Sequence, residues 1–453
     1  MKFPRTSGVL LLAAAVVFLG GCTLAPSTVE KQANQQAARI ATKLRPSGHK
    51  PMLPALAPNS PLADYVRFAA LNHPEVEAAY LEWRASLSAV APNRALPDPQ
   101  FTFQADIADT VMSLMPGLMF DIMTPGKRRA MTDEALGAAS VSYRAYVASV
   151  FNVTARVRKA AIELAYVDEA MRLRDESIKA LDQATSLADA AYSTGQGMAT
   201  LETQVRLAND VAKIRSEIAA LTDRQKAARA RFKAALGLLP TDSDPAWPKL
   251  TLAPTTLPSA DELWTRARLA NPEIGRMRAM VEMAVAGVNV ARKTGTPDFT
   301  LGAMPDLKAD PLMIRPTATV TLPIWREKIR ATVSAAEARR DAALARVSAE
   351  EINLAAEIAQ MLYMVRESDL MIEYIEKVAL PNYDRAIASV EASYQAGMGS
   401  PAMIPETHVM QVGMRLERLA ALRDRENAVT DLLLMTAETA AGAADLFADN
   451  STR

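Results

Sequence analysis

The sequence predicts a mainly α-helical chain that carries a membrane β-barrel segment, built from a duplicated helix–β-hairpin–helix unit. Three observations predict it. The composition is that of long helices: half of the 453 residues are apolar, aromatics are only 5%, and there are just 18 glycines. The chain echoes itself at a spacing of about 200 residues. Each half of the echo holds two short stretches of strict apolar/polar alternation, which helices do not show.

The echo has four anchors in one order. His73-Pro74-Glu75-Val76 matches Asn271-Pro272-Glu273-Ile274, and Pro99-Gln100-Phe101-Thr102 matches Pro297-Asp298-Phe299-Thr300. Lys127-Arg128-Arg129-Ala130 matches Lys328-Ile329-Arg330-Ala331, and the turn Tyr192–Gly197 matches Tyr394–Gly399. The offsets drift by only about four residues across the whole span, as a duplicated unit requires.

Taken in order, the chain opens with Lys2 and Arg5 ahead of an apolar run, Val9 to Leu19, too short to span a bilayer and typical of a signal peptide over 1–21. Leu19-Gly20-Gly21-Cys22 follows and resembles the lipobox of bacterial lipoproteins, which implies lipidation at Cys22. Cys22 is the sole cysteine, so no intrachain disulfide can form. Residues 22–61 end in a run of prolines (Pro46, Pro51, Pro54, Pro58, Pro61) and read as an extended tether. A first repeat is expected over 62–236, beginning with helix to about Arg94 and a kink or restart at Pro74.

Strands are expected at about 100–108 and 117–124. Phe101, Phe103, Ala105 and Ile107 lie on one face, and Thr102, Gln104 and Asp106 on the other. The second repeat, 260–441, has the same pattern at about 298–304 and 316–324. No nearby segment has the composition to cover the second face, and lipid-facing strands alternate in this way. Open edges are excluded from lipid, so four strands demand further copies. Two chains give eight strands and three give twelve; twelve is preferred, because eight-stranded barrels are usually filled by side chains.

Between Lys127 and Tyr192 no proline occurs, about 66 residues or roughly 99 Å of helix at about 1.5 Å per residue. A returning helix runs to about Leu236. Arg326 to Tyr394 repeats the pattern, with a kink or break expected at Pro381. Residues 237–259, with five prolines, form a linker, and 442–453 form a tail.

Lys plus Arg equals Asp plus Glu at 51 each, which gives no support for nucleic-acid binding. His49, His73 and His408 lie far apart with no metal-ligand spacing, and no phosphate-binding glycine motif is present, so no enzyme and no cofactor are expected. Lys127, Arg128, Arg129, Arg326, Lys328 and Arg330 sit at helix starts, where cations oppose the macrodipole. Two readings stand for them: contact with lipid phosphates at the barrel's edge, or solvated surface charge. Met112, Met115, Met119 and Met123 cluster around the first hairpin, and Met398, Met403, Met410 and Met414 near the second turn. Thioethers suit Cu(I) and Ag(I), yet methionine is also an ordinary packing residue, and packing is the preferred reading.

Together, the lipobox, the duplicated helix–hairpin–helix, the long helices, Pro125-Gly126-Lys127-Arg128-Arg129, Leu322-Pro323-Ile324-Trp325 and the Tyr-x-x-Gly turns resemble the TolC family of outer-membrane efflux channels, over residues 62–440. Cys22 fits the family's lipoprotein branch, which includes copper/silver and multidrug channels. The resemblance implies a homotrimer with a twelve-stranded β-barrel in outer-membrane lipid and a long α-helical barrel in the periplasm. It implies a periplasmic adaptor and an inner-membrane pump as partners. It assigns adaptor docking to the periplasmic tips, here Gly195, Gln196, Gly197, Met198, Gly397, Met398 and Gly399. Acidic residues near the second tip ring the closed pore in well-studied relatives; here only Glu406 is acidic, and Glu406 with Met403 is the candidate gate. The expected function is therefore the exit duct of an efflux system. The alternatives are the duct of a protein-secretion system and a structural periplasmic coiled-coil lipoprotein.

Overall fold

Helix α1, Thr28–Leu44, opens the described part of the chain. The computed structural model describes residues 24–107, 111–194, 201–396, 398, 400, 402–438 and 443–446. Helix α1 corrects the reading of 22–61 as wholly extended. Ser27 caps it by accepting the Glu30 amide at 3.1 Å. Ala37, Ile40 and Leu44, spaced by three and four, form its buried face. The prolines that suggested extended chain begin only after Leu44, so nothing within the segment opposes helix.

Next come α2 (Leu62–Asn72), α3 (Pro74–Ser88) and α4 (Val90–Arg94). Pro74 takes the first helical position, where its missing N–H costs nothing. Strands β1 (Gln100–Ile107) and β2 (Val111–Ile122) follow, then α5, which runs 70 residues from Pro125 to Thr194, and α6 (Leu201–Ala235). The second half gives α7 (Ala260–Ala270), α8 (Pro272–Lys293), β3 (Asp298–Asp306), β4 (Met313–Thr321), α9 (Arg326–Tyr374), α10 (Leu380–Gln395) and α11 (Met403–Met435). Two strand boundaries differ from expectation: β2 begins at Val111 rather than 117, and β4 covers 313–321 rather than 316–324. Pro116 made the start of β2 look like loop, but it sits within paired register opposite Phe103; Pro316 lies within both the expected and the observed β4, which is moved three residues toward the N-terminus.

At Pro381 the helix neither breaks nor simply bends. It widens into a π turn, Ile375–Ala379, with the Leu380 amide donating to the Ile375 carbonyl. Proline lacks an N–H and its ring crowds the carbonyl four residues back, and the wider turn relieves both.

Two compact units share these helices. Among the described residues, the first comprises those within 24–42, 78–146 and 273–350 and holds the sheet. Its aromatic cluster stacks Trp83 on Tyr146 at 5.9 Å, with Tyr143 at 4.9 Å and Tyr80 at 6.1 Å from Trp83. The second comprises 43–77, 147–272 and 351–453. There Leu181, Ala184 and Ala188 of α5 pack on Leu207 and Ile214 of α6. Further along, Ala170 and Leu173 meet Val412 and Leu419 of α11.

Each repeat is fastened to itself in the same way. The Asn72 amide donates to the Leu236 and Gly237 carbonyls just past α6, and the Asn271 amide donates to the Met435 carbonyl ending α11. Both closing helices end in the same left-handed cap. Leu238 N–H bonds the Lys233 carbonyl and Glu438 N–H bonds the Leu433 carbonyl. The left-handed residue is Gly237 at φ 74 in one and Ala437 at φ 58 in the other.

The linker is held by buried charges. Lys233 Nζ donates to the Pro240 and Asp242 carbonyls and to Asp244. Glu426 accepts from the Thr255 amide at 3.0 Å and its hydroxyl at 2.7 Å, and pairs with Arg425.

Candidate functional site

The four strands form one antiparallel sheet in the order β1-β2-β3-β4, so the two hairpins join through β2 and β3. Register assigns the paired side chains to faces. Thr102 lies opposite Gly117, Gln104 opposite Met115, and Asp106 opposite Ser113. Asp121 lies opposite Thr300, which lies opposite Thr319. This face is polar, and hydrogen bonds cross it: Asp121 accepts from the Thr300 hydroxyl at 2.6 Å and from the Gln100 amide at 3.1 Å. At its far end Asp306 accepts from the Ser113 hydroxyl at 3.1 Å, with Arg315 at 3.4 Å.

The other face carries Phe101, Phe103, Leu118, Phe299, Leu301, Ile314 and Val320, and it is the exposed one. Phe101 is 69% exposed, Phe103 61% and Ile314 65%. On the polar face Met115 and Ser113 are buried. A water-soluble sheet shelters its apolar face; this one exposes it, the arrangement that suits strands surrounded by lipid. Strands β1 and β4 are both left as edges.

The basic residues near the strand ends divide. Lys127 pairs with Asp298, and Arg128 is buried and donates to the Arg94 carbonyl at 3.1 Å. Arg94 in turn lies 3.6 Å from buried Glu30 of α1. These two cations therefore face protein, which corrects the lipid-contact reading for them. Arg129, Arg326, Lys328 and Arg330 are exposed.

At the other end of the helices, Gly195, Gln196, Gly197, Met198, Gly397 and Gly399 lie outside the described residues, as does Cys22. Met398 and Met403 are exposed. Glu406 departs from the free pore-lining carboxylate expected of it. Both its oxygens are held by Arg206 of α6, at 2.9 and 3.1 Å. The pairing raises the Arg206 pKa, through the hydrogen bonds to Glu406 first. The partner lies 200 residues away in sequence, which no local pattern could signal. Among the described residues no group of three or more His, Cys, Asp or Glu could hold a metal ion, and no helix is long and apolar enough to cross a membrane.

Residues 263–438 match the model of the outer membrane efflux protein family. No curated protein matches the sequence. Solved structures of similar fold include the open-state MtrE outer membrane channel of Neisseria gonorrhoeae, at 18% identity and TM-score 0.69, covering 85% of this chain and 90% of that one. The CmeC outer membrane channel of Campylobacter jejuni is 15% identical with TM-score 0.68, over 88% of this chain and 91% of that one. The outer membrane protein VceC of Vibrio cholerae is 16% identical with TM-score 0.66, over 84% and 96%. At such identities the likeness is one of fold alone.

Proposed function

We propose that this protein is the outer-membrane exit duct of a tripartite efflux system, passing small molecules or ions from the periplasm to the outside. The observation that carries this reading is the sheet itself, with its apolar face exposed and its two edges open. In this reading three copies join β1 to β4 and close a twelve-stranded barrel, with the polar face lining the lumen. The long helices then form the periplasmic conduit. Cys22 carries the lipid anchor, adding about 0.8 kcal/mol per buried CH₂. Arg129, Arg326, Lys328 and Arg330 meet lipid phosphates at the membrane edge, and the tips around Gly195–Met198 and Gly397–Gly399 dock a periplasmic adaptor that couples the duct to an inner-membrane pump. The matched family and the channel folds of MtrE, CmeC and VceC support this reading.

The test is incorporation of the purified protein into planar bilayers, alongside electrophoresis with and without heating. A heat-sensitive trimer band with stepwise ion conductance is the expected result. A detergent-independent soluble helical protein without conductance would overturn the proposal in favour of a structural coiled-coil lipoprotein.

A further inference from the structure

The methionines of the sheet are sorted by register. Met112 is the unpaired residue of the bulge between the Asp106–Ser113 and Ile107–Val111 pairs and is exposed. Met115 and Met119 fall on the polar face, opposite Gln104 and Gln100, and Met119 also lies opposite Gly302. Met304 falls on the same face, opposite Arg315. The glycines show where the thioether chains go. A Cβ on Gly117 would lie 2.2 Å from Met304 Cγ, and a Cβ on Gly302 would lie 2.8 Å from Met119 Cγ. Met304 therefore reaches across Gly117 on β2, between Met115 and Met119, while Met119 reaches across Gly302 on β3. Beside them, Thr102 Oγ1 would be 3.1 Å from the same Gly117 Cβ, and it is buried without a hydrogen-bond partner.

Apolar packing accounts poorly for this group. The surrounding positions on the face are Thr102, Gln104, Ser113, Asp121, Thr300 and the Asp306–Arg315 pair, with glycines where core side chains would stand. Same-face neighbours on paired strands lie about 5–8 Å apart at Cβ, within the reach of flexible methionine chains. Uncharged sulfur donors favour soft, polarisable cations over Zn²⁺, Mg²⁺ or Ca²⁺. We propose that Met115, Met119 and Met304 form a thioether site for a soft monovalent cation, Cu(I) or Ag(I), on the polar face of the sheet. Its place in a lumen rests on the exit-duct reading; cation binding itself does not. A thioether carries no proton to displace, so affinity should hold from mildly acidic to neutral pH, unlike a thiolate or imidazole site.

The test is calorimetric titration of the detergent-solubilised full chain with Ag(I), with bilayer conductance recorded for the same samples. Met304→Leu and Met115→Leu are compared with Met112→Leu at the exposed bulge, and Gly117→Ala displaces Met304 without removing a sulfur. The expected result is one Ag(I) per chain, weakened at least about tenfold in Met304→Leu, Met115→Leu and Gly117→Ala and unchanged in Met112→Leu. Wild-type protein that conducts but binds no stoichiometric Ag(I) overturns the site and leaves the duct standing. Equal loss in Met112→Leu also overturns it. Ag(I) binding as expected in a protein that never conducts overturns the duct reading alone.

Discussion

Leu301→Arg tests which face of the sheet meets lipid. Leu301 is near the middle of β3, between Phe120 and Ala318 on the apolar face, and it is 47% exposed. An arginine facing hydrocarbon near the bilayer midplane costs about 2–4 kcal/mol. Three copies carry the lesion in the proposed trimer, so the assembly loses about 6–12 kcal/mol, comparable to the whole stability of a typical domain. Thr319→Arg is the matched control. Thr319 is exposed on the polar face opposite Thr300, where a cation meets water, and the expected cost is within about 0.5 kcal/mol. The assay is urea-dependent folding into phospholipid vesicles, followed by tryptophan fluorescence and by the heat-sensitive oligomer band. Leu301→Arg should fold poorly and Thr319→Arg normally. Equal behaviour of the two variants, or the reverse order, would refute the assignment of faces.

Other predictions concern the helices. Ala437→Gly relieves a left-handed alanine and should raise the denaturation midpoint, by about 0.5–1 kcal/mol, while Gly237→Ala should lose more than about 1 kcal/mol, because its Cβ would lie 2.7 Å from His73 Cα. Glu426→Ala removes the acceptor for Thr255 and one partner of buried Arg425, and should cost about 3 kcal/mol, seen as a lower urea midpoint and faster proteolysis within 237–259. His73 is held neutral: burial, then Arg156, lowers its pKa, and its Nδ1 accepts the Glu75 amide. With the folded pKa below the unfolded one, this stability is present above about pH 6.5 and is lost as pH falls below it. His73→Asn should flatten that acid slope in thermal melts without changing stability near neutral pH.

Much of the architecture was legible because alternation and the absence of proline are local signals. The β1 faces could be read from Phe101 and Phe103 alone. The limits of β2 and β4 could not, because Pro116 is admitted into β2 only by its register with Phe103, and the start of β4 is set by the pairing of Met313 with Asp306. Helix α1 was hidden by the prolines that follow it, although Ala37, Ile40 and Leu44 carried its period. At the candidate sites the signal was weaker still. Lys127 and Arg128 looked like surface cations until Asp298 and the Arg94 carbonyl were placed beside them. Glu406 looked unpaired because Arg206 belongs to the other repeat. The methionines near the first hairpin looked like one cluster, but a bulge leaves Met112 unpaired while register puts Met115 and Met119 on the polar face. Met304 joins the latter two only through the β2–β3 pairing, which sequence spacing does not encode.

The open edges of the sheet bear most directly on oligomeric state. Strands β1 and β4 span eight and nine residues, and in each, alternate residues turn their backbone N–H and C=O away from the sheet. That leaves about four donors and about four acceptors on each edge, and an unpaired peptide group in an apolar medium costs about 4–8 kcal/mol. Even the lower figure brings the total to tens of kcal/mol, above the roughly 5–15 kcal/mol that stabilises a folded domain. A lone chain therefore cannot place this sheet in hydrocarbon with both edges bare. Yet the exposed Phe101, Phe103, Leu301 and Ile314 make hydrocarbon the medium that the apolar face favours. The two demands are reconciled when β1 of one copy pairs with β4 of the next until the ring closes, and twelve strands is the first closure beyond eight that a four-stranded protomer allows. Crosslinking between cysteines introduced at Thr102 and Thr319 should then join neighbouring copies into a closed trimer ladder. A ladder that stops at two would point instead to an eight-stranded barrel with no open lumen.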